Sequence, residues 1–294
     1  MKTWLRPLTV FAAALLALSV LTACDSDDPE PLRIGASADP ALQAAAGVYA
    51  SVLSRSGRRA VLVDRRDTEP ALLDATAVGA VDLFPAFTGE LLDLLSSSPV
   101  AYGGDELIAE VSRALPQGVS IGDPTQAGNR PQLLIAAALR DRYGVDDLAG
   151  CGALPAGLPL VTIDGVDDDV LGAFAACRPG PVTRLASAQE VLARVSGGEA
   201  LGVLPALDTA AAEAAGPDAQ NGPEVQALSA DGAPRAQTLL PVYRSAALTR
   251  NQLKALSRVA GELSTADLAE LAGKVRGGAD PAAVGREWVG THGV

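Results

Sequence analysis

Aromatic residues, histidine and cysteine are all scarce in this chain. Its 294 residues hold four Phe, four Tyr, two Trp, one His and three Cys. The one histidine, His292, lies far in sequence from the cysteines, and two Cys do not fill a tetrahedral site, so a zinc centre is not expected. Motifs of the G-x-S-x-G, H-E-x-x-H and phosphate-loop types are missing, which removes the commonest signatures of hydrolases and nucleotide enzymes. Basic charge is also short: 23 Lys and Arg stand against 35 Asp and Glu, a net −12. Such a surface repels phosphates, so nucleic acid is not an expected partner. Beyond residue 24, Pro, Gly or charges interrupt every apolar run, and no second bilayer-spanning segment is expected.

What is present begins with export. Lys2 and Arg6 precede an apolar run from Leu8 to Leu21, followed by Leu21-Thr22-Ala23-Cys24. A basic start, an apolar centre and small residues before a cleavage point read as a signal peptide over 1–24. The last four residues resemble a bacterial lipobox, which implies that Cys24 carries a lipid anchor on the extracytoplasmic face of the cell membrane. An ordinary signal with an incidental Cys, or an uncleaved anchor, would read similarly. Residues 25–31, acidic and proline-bearing, read as a tether. Removal of Lys2 and Arg6 with the signal leaves 21 basic groups against 35 acidic ones. Cys151 and Cys177 remain, an even count in an oxidising compartment, and are either bridged or a pair of buried thiols. A bridge would close a loop of about 26 residues and stabilise by ~3 kcal/mol.

The body alternates strands and helices, the pattern of parallel α/β sheet. Strands are predicted at 32–36, 60–63, 81–84 and 118–122, with helices at 41–56, 68–78, 89–97 and 105–115. The chain then starts afresh: a helix from Asn129 to Tyr143, strands at 158–163, 180–185 and 200–207, and helices at 167–176 and 187–198. Residues 209–236 are the least regular. A strand at 237–244 and three helices capped by Thr249, Ser264 and Asp280 complete it. Roughly 265 residues of folded chain suit two lobes: 32–122 with 243–294, and 123–242, with the ligand cleft between them at helix N-termini.

One stretch carries a specific resemblance. Gly79-Ala-Val-Asp-Leu-Phe-Pro-Ala-Phe-Thr-Gly89 resembles the G-x-[IV]-D-x-[YF]-P-x-[YF]-T-G segment of osmoprotectant-binding lipoproteins. Those are substrate-binding subunits of ABC importers for glycine betaine, carnitine and choline. The stretches 33–57, 129–150 and 240–289 are similar to the family as well. The resemblance implies a two-lobed periplasmic-binding-protein-like fold of type II, α/β in class, with no cofactor. It also implies permease and ATPase partners in the membrane and an aromatic box around a quaternary ammonium, which offers no N–H and must be held by ring faces.

The residues that would build such a site are Ser37, Asp82, Phe84, Thr88, Tyr102, Asn129, Arg130 and Asp208. Phe84 is either a cage ring or a core residue, Asp82 either a cleft acid or a turn cap. Thr88 and Gly89 open a helix whose amides can face an anion. Tyr102, on a loop, is the better candidate ring beside the mid-helical Tyr49. Asn129 and Arg130 are donors for a carboxylate, unless Asn129 only caps its helix. The chain departs from the family where Pro205-Ala-Leu-Asp208-Thr209 offers no ring, leaving open a polar ligand read by Asp208, Thr209 and Asp82. A hydrolase using Lys254 or Lys274, or a lipoprotein that binds another protein, are the competing functions.

Overall fold

The computed structural model describes residues 30–215, 224–230, 232 and 234–294. The signal peptide, Cys24 and nearly all of the tether lie outside the described residues.

Along the chain, the first half runs β1 (Leu32–Ala36), α1 (Pro40–Arg55), β2 (Ala60–Arg66), α2 (Glu69–Ala77), β3 (Leu83–Phe87), α3 (Thr88–Leu95), α4 (Gly104–Ala114) and β4 (Val119–Ile121). It then crosses into β5 (Pro131–Ala136), α5 (Ala137–Tyr143), β6 (Leu160–Ile163), α6 (Asp168–Gly172), β7 (Val182–Leu185), α7 (Ala188–Ser196), β8 (Leu201–Pro205), α8 (Ala206–Ala215) and β9 (Val225–Ala227). It returns through β10 (Leu239–Arg244) to α9 (Arg250–Glu262), α10 (Thr265–Arg276) and α11 (Pro281–His292).

Two five-stranded sheets result, in the orders β2-β1-β3-β10-β4 and β7-β6-β8-β5-β9. Each is mixed rather than wholly parallel. The strands that follow the two crossings, β5 and β10, enter their sheets antiparallel to their neighbours. The expected boundary at 243 shifts: the whole of β10, Leu239 included, pairs with β3 and β4 in the first sheet. The strand expected to end at 84 continues through Pro85 to Phe87. Thr88 N bonds Thr238 O and Arg244 N bonds Asp82 O, so by alternation Pro85 and Pro241 face each other as a pair that exchanges no hydrogen bonds, and their missing N–H groups leave the β3–β10 ladder intact.

The crossings are hydrogen-bonded to each other. Asn129 N donates to Gln237 O (2.7 Å), Leu239 N to Ala127 O (2.9 Å) and Thr125 N to Leu239 O (2.8 Å). The Thr125 hydroxyl adds a bond to Leu239 O at 3.0 Å. The backbone that passes between lobes is thus a short antiparallel ribbon with its polar groups satisfied.

In the first lobe, α1 is buried along almost its full length. It is wrapped by α9, α10 and α11, whose caps at Thr249, Ser264 and Asp280 form as expected. Gly47 and Gly285 let α1 and α11 touch backbone to backbone: a Cβ on Gly47 would strike Pro281 O, and one on Gly285 would strike Gly47 itself. The second lobe has shorter helices, seven residues in α5 and five in α6. Its core gathers Leu133, Ile135, Leu160, Phe174 and Val203 around a disulfide between Cys151 and Cys177, with Cα atoms 5.0 Å apart. The helix expected from Asn129 begins only at Ala137; before it, β5 pairs with β8 on one side and β9 on the other. The irregular stretch expected from 209 opens as the helix α8.

Candidate functional site

The expected site residues separate into two groups. Most of them hold the scaffold. Asp82 is 1% exposed. Its carboxylate receives Arg33 N at 2.9 Å and Arg33 Nε at 3.3 Å on Oδ2, and Arg244 Nη2 at 2.7 Å on Oδ1. Burial alone would raise its pKa; the bonds from Arg244 and Arg33 outweigh it and hold the carboxyl below the usual aspartate range. Asp82 therefore ties β1 and β10 to β3 and has no free oxygen turned to a ligand.

Phe84 has no exposed surface. It points away from Leu83 and Phe87, which share one core cluster, and packs with Leu72, Leu91, Leu107, Val111 and Leu240 in another. Strand alternation explains this: 84 and 86 face one side of the sheet, 83 and 87 the other. Both phenylalanines fill core, and neither offers a ring face to a cation. Thr88 joins α3 to the second crossing: its hydroxyl donates to Ala236 O at 3.0 Å and accepts from Thr238 N at 3.0 Å. Gly89 beside it has no room for a Cβ, which would meet Gln237 Nε2 at 2.5 Å and Ala236 O at 2.8 Å. Two of the amides expected to face an anion are spent on that crossing, Thr88 N on Thr238 O and Glu90 N on Gln237 Oε1.

Arg130 is also committed. Its Nε donates to Pro234 O at 2.7 Å, and its Nη atoms to Ala230 O and Gly232 O. Tyr102 is half exposed on the flank of the first lobe, where the Arg235 guanidinium lies 5.7 Å from its ring centre. Ser37 supports the loop after β1 by accepting from Asp39 N at 3.2 Å.

The second group meets between the lobes. A cavity of about 90 Å³ is lined by Asp39 and Ala41 from the first lobe, Asn129 from the crossing, Leu207, Asp208 and Ala211 from α8, and Ala269, Ala272 and Arg276 from α10. Asn129 does cap a helix, though not its own: its Oδ1 accepts Leu207 N at 3.2 Å, at the start of α8. Asp208 follows in the first turn of α8. Burial pushes its pKa up, Arg276 pulls it down and Asp39 adds to the rise. Asp39 caps α1, its Oδ1 accepting Ala41 N at 2.6 Å and Leu42 N at 3.1 Å.

Two further carboxylates feel Asp39. Glu69 is pushed up to about 7, by burial first and then by Glu90 and Asp39. Glu90 retains solvent contact, yet the protein around it, then Asp39 and Asp93, raise it as well. Asp39 thus lies within electrostatic reach of three other carboxylates, Asp208, Glu69 and Glu90. A larger hollow of about 370 Å³, formed by Val100, Ala101, Glu106, Ala109, Glu110 and Arg113, lies wholly on the first lobe, where relative motion of the lobes cannot close it. Among the described residues no cluster suits a metal ion, and no helix is long and apolar enough to cross a membrane.

Of the expected residues the structure brings Asn129 and Asp208 to this cavity, together with Asp39, Leu207 and Arg276, which were not among the expected site residues. The Asp39-Pro40 pair, a helix-start signal directly after a strand, could have marked the first.

Two mixed sheets joined by paired crossings, with a cavity between them, define a two-lobed binding protein. Residues 30–215 match the model of the substrate-binding domain of the ABC-type glycine betaine transport system, and the chain belongs to that family. Its fold is the type II two-lobed fold of ABC substrate-binding proteins. Apo YehZ from Escherichia coli is similar at 17% identity and a TM-score of 0.69, over 90% of this chain and 99% of that one. A glycine betaine/carnitine/choline ABC transporter structure is similar at 14% identity and a TM-score of 0.69, over 89% of this chain and 98% of that one. No curated protein matches the sequence.

Proposed function

We propose that this chain is the solute receptor of an ABC importer. It captures a small ammonium-bearing compatible solute, the class that includes glycine betaine, choline and carnitine, by closing its two lobes on it. The observation that carries this reading is the cavity between the lobes, to which α1, the first crossing, α8 and α10 all contribute side chains. Only the crossing ribbon and the contacts around α8 and α10 need adjust for the lobes to rotate, a hinge motion in which ligand selects the closed state. Asn129 and Asp208 belong to this site; Ser37 supports the loop that carries Asp39, and Asp82, Phe84, Thr88 and Arg130 hold the frame behind it. Binding is the whole of its activity, and the loaded receptor hands its solute to permease and ATPase subunits. A lipid on Cys24 holds it at the extracytoplasmic face of the membrane.

The test is thermal unfolding of the purified chain with glycine betaine, choline, carnitine and their less methylated relatives. A solute at a hundred times its dissociation constant adds about 2.7 kcal/mol and raises the midpoint by several degrees. The reading expects such a rise with at least one of them, lost in Asp208→Asn. A flat response to all of them contradicts it.

A further inference from the structure

Asp39 and Asp208 bring two carboxylates to the cavity from opposite lobes. Asp39 is open to solvent and spends Oδ1 on the amides of Ala41 and Leu42; its Oδ2 receives no hydrogen bond among the described residues and is free to exchange water for a ligand donor. Asp208 accepts none from them either, and its neighbours in the cavity are the Asn129 amide, the Arg276 guanidinium and the apolar surface of Ala41, Leu207, Ala211, Ala269 and Ala272. No aromatic ring lines the space. Phe84 and Phe87 are buried in separate cores, and Tyr49 is fully buried in α1.

These two facts select a head group. A quaternary ammonium has no N–H and gains its specificity from ring faces. A carboxylate with an unused oxygen gains most from a charged donor, through a short N–H···O bond that a fully methylated nitrogen cannot form. Closure also draws Asp208 toward Asp39, a like-charge approach that a cation between them relieves.

Resting on the receptor reading above, we propose that the solute is a small primary or secondary amine in its protonated form, whose N–H groups are shared between Asp39 and Asp208. Its head group is not fully methylated. Arg276, in the last turn of α10, stands at the same cavity to meet the solute's other end.

The experiment is titration calorimetry of the purified chain with two methylation series: glycine, sarcosine, dimethylglycine and glycine betaine, and ethanolamine through its N-methyl derivatives to choline. The proposal expects affinity to fall along at least one series, with the fully methylated member at least about tenfold weaker than the best N–H-bearing one, a loss of one charged hydrogen bond. It expects Asp39→Asn and Asp208→Asn each to cost about tenfold for the N–H-bearing member; asparagine keeps the cap on α1 in the first. Tightest binding by glycine betaine or choline, untouched by either variant, overturns the proposal and leaves the receptor reading intact. Recognition of neither series overturns the proposal together with the ammonium-solute reading above. No binding by any small solute overturns both. The wild-type series decides the head group even if a variant fails to fold.

Discussion

The two lobes share a plan and differ in how they are held. The first sheet is backed by α1 and three terminal helices, with glycines that let backbones touch and a buried carboxylate tied to two arginines. The second has helices of five to ten residues, a smaller core and a covalent staple. A lobe rich in long helices can bury enough apolar surface to define itself; one built from short elements gains more from a cross-link that restricts its unfolded state. The cavity lies where the two meet, on the helix start of α8 and the flank of α10.

Breaking each lobe's own device should show the contrast. The largest effect belongs to the first lobe. Gly47→Leu forces α1 and α11 apart where their backbones touch, and should cost about 4 kcal/mol, read as loss of the folded baseline in urea unfolding. Cys151→Ser with Cys177→Ser should cost ~3 kcal/mol for a closed loop of 26 residues, with reduction of the wild type giving the same shift. If that loss is negligible, the second lobe does not depend on its staple and the contrast fails.

Asp82→Ala should cost about 2 kcal/mol, discounted because Arg33 and Arg244 are each one-third exposed at the side chain. This contribution has a pH signature. The folded pKa of Asp82 is lowered, so on acidification the unfolded chain takes up the proton first. The stabilisation is complete at neutral pH and is lost as pH falls through the folded value. The variant's unfolding curve should therefore converge on the wild type's in acid, and a constant gap at all pH values would remove the charge from the explanation.

The smallest effect belongs to Glu69. Glu69 titrates near 7 in the folded chain, above its value when unfolded, so its contribution weakens stability as pH rises through that interval. Glu69→Gln should gain about 1 kcal/mol at pH 8, after allowance for its partial exposure, and nothing at pH 4. Equal effects at both would place the cause in packing.

The same contrast explains what the sequence disclosed. In the first lobe the elements are long and their signals agree: Thr249, Ser264 and Asp280 stand at helix starts, and 3.6-residue periodicity fills the helices behind them. In the second lobe the run from Asn129 to Tyr143 is rich in helix formers, with Gln132, Leu133, Leu134, Ala136, Ala137, Ala138, Leu139 and Arg140. Its first half became β5 because β8 and β9 flank it, a tertiary fact that propensity does not contain. The lining of the cavity was partly legible for a related reason. Asp208 and Asn129 show as polar residues at an element's start. The segment from Asp82 to Gly89 marks the family, but it does so by building the frame. A phenylalanine at 84 looks the same in sequence whether it lines a cage or fills a core, and only the face of β3 on which it lies decides.

The most direct measurement is hydrogen exchange of the purified chain with and without its tightest-binding solute. The account predicts simultaneous protection of the amides at 39–42, at the start of α8 and along 125–129, because one solute joins both lobes and stills the ribbon between them. Protection confined to one lobe, or centred on the hollow around Val100 and Glu110, would contradict it.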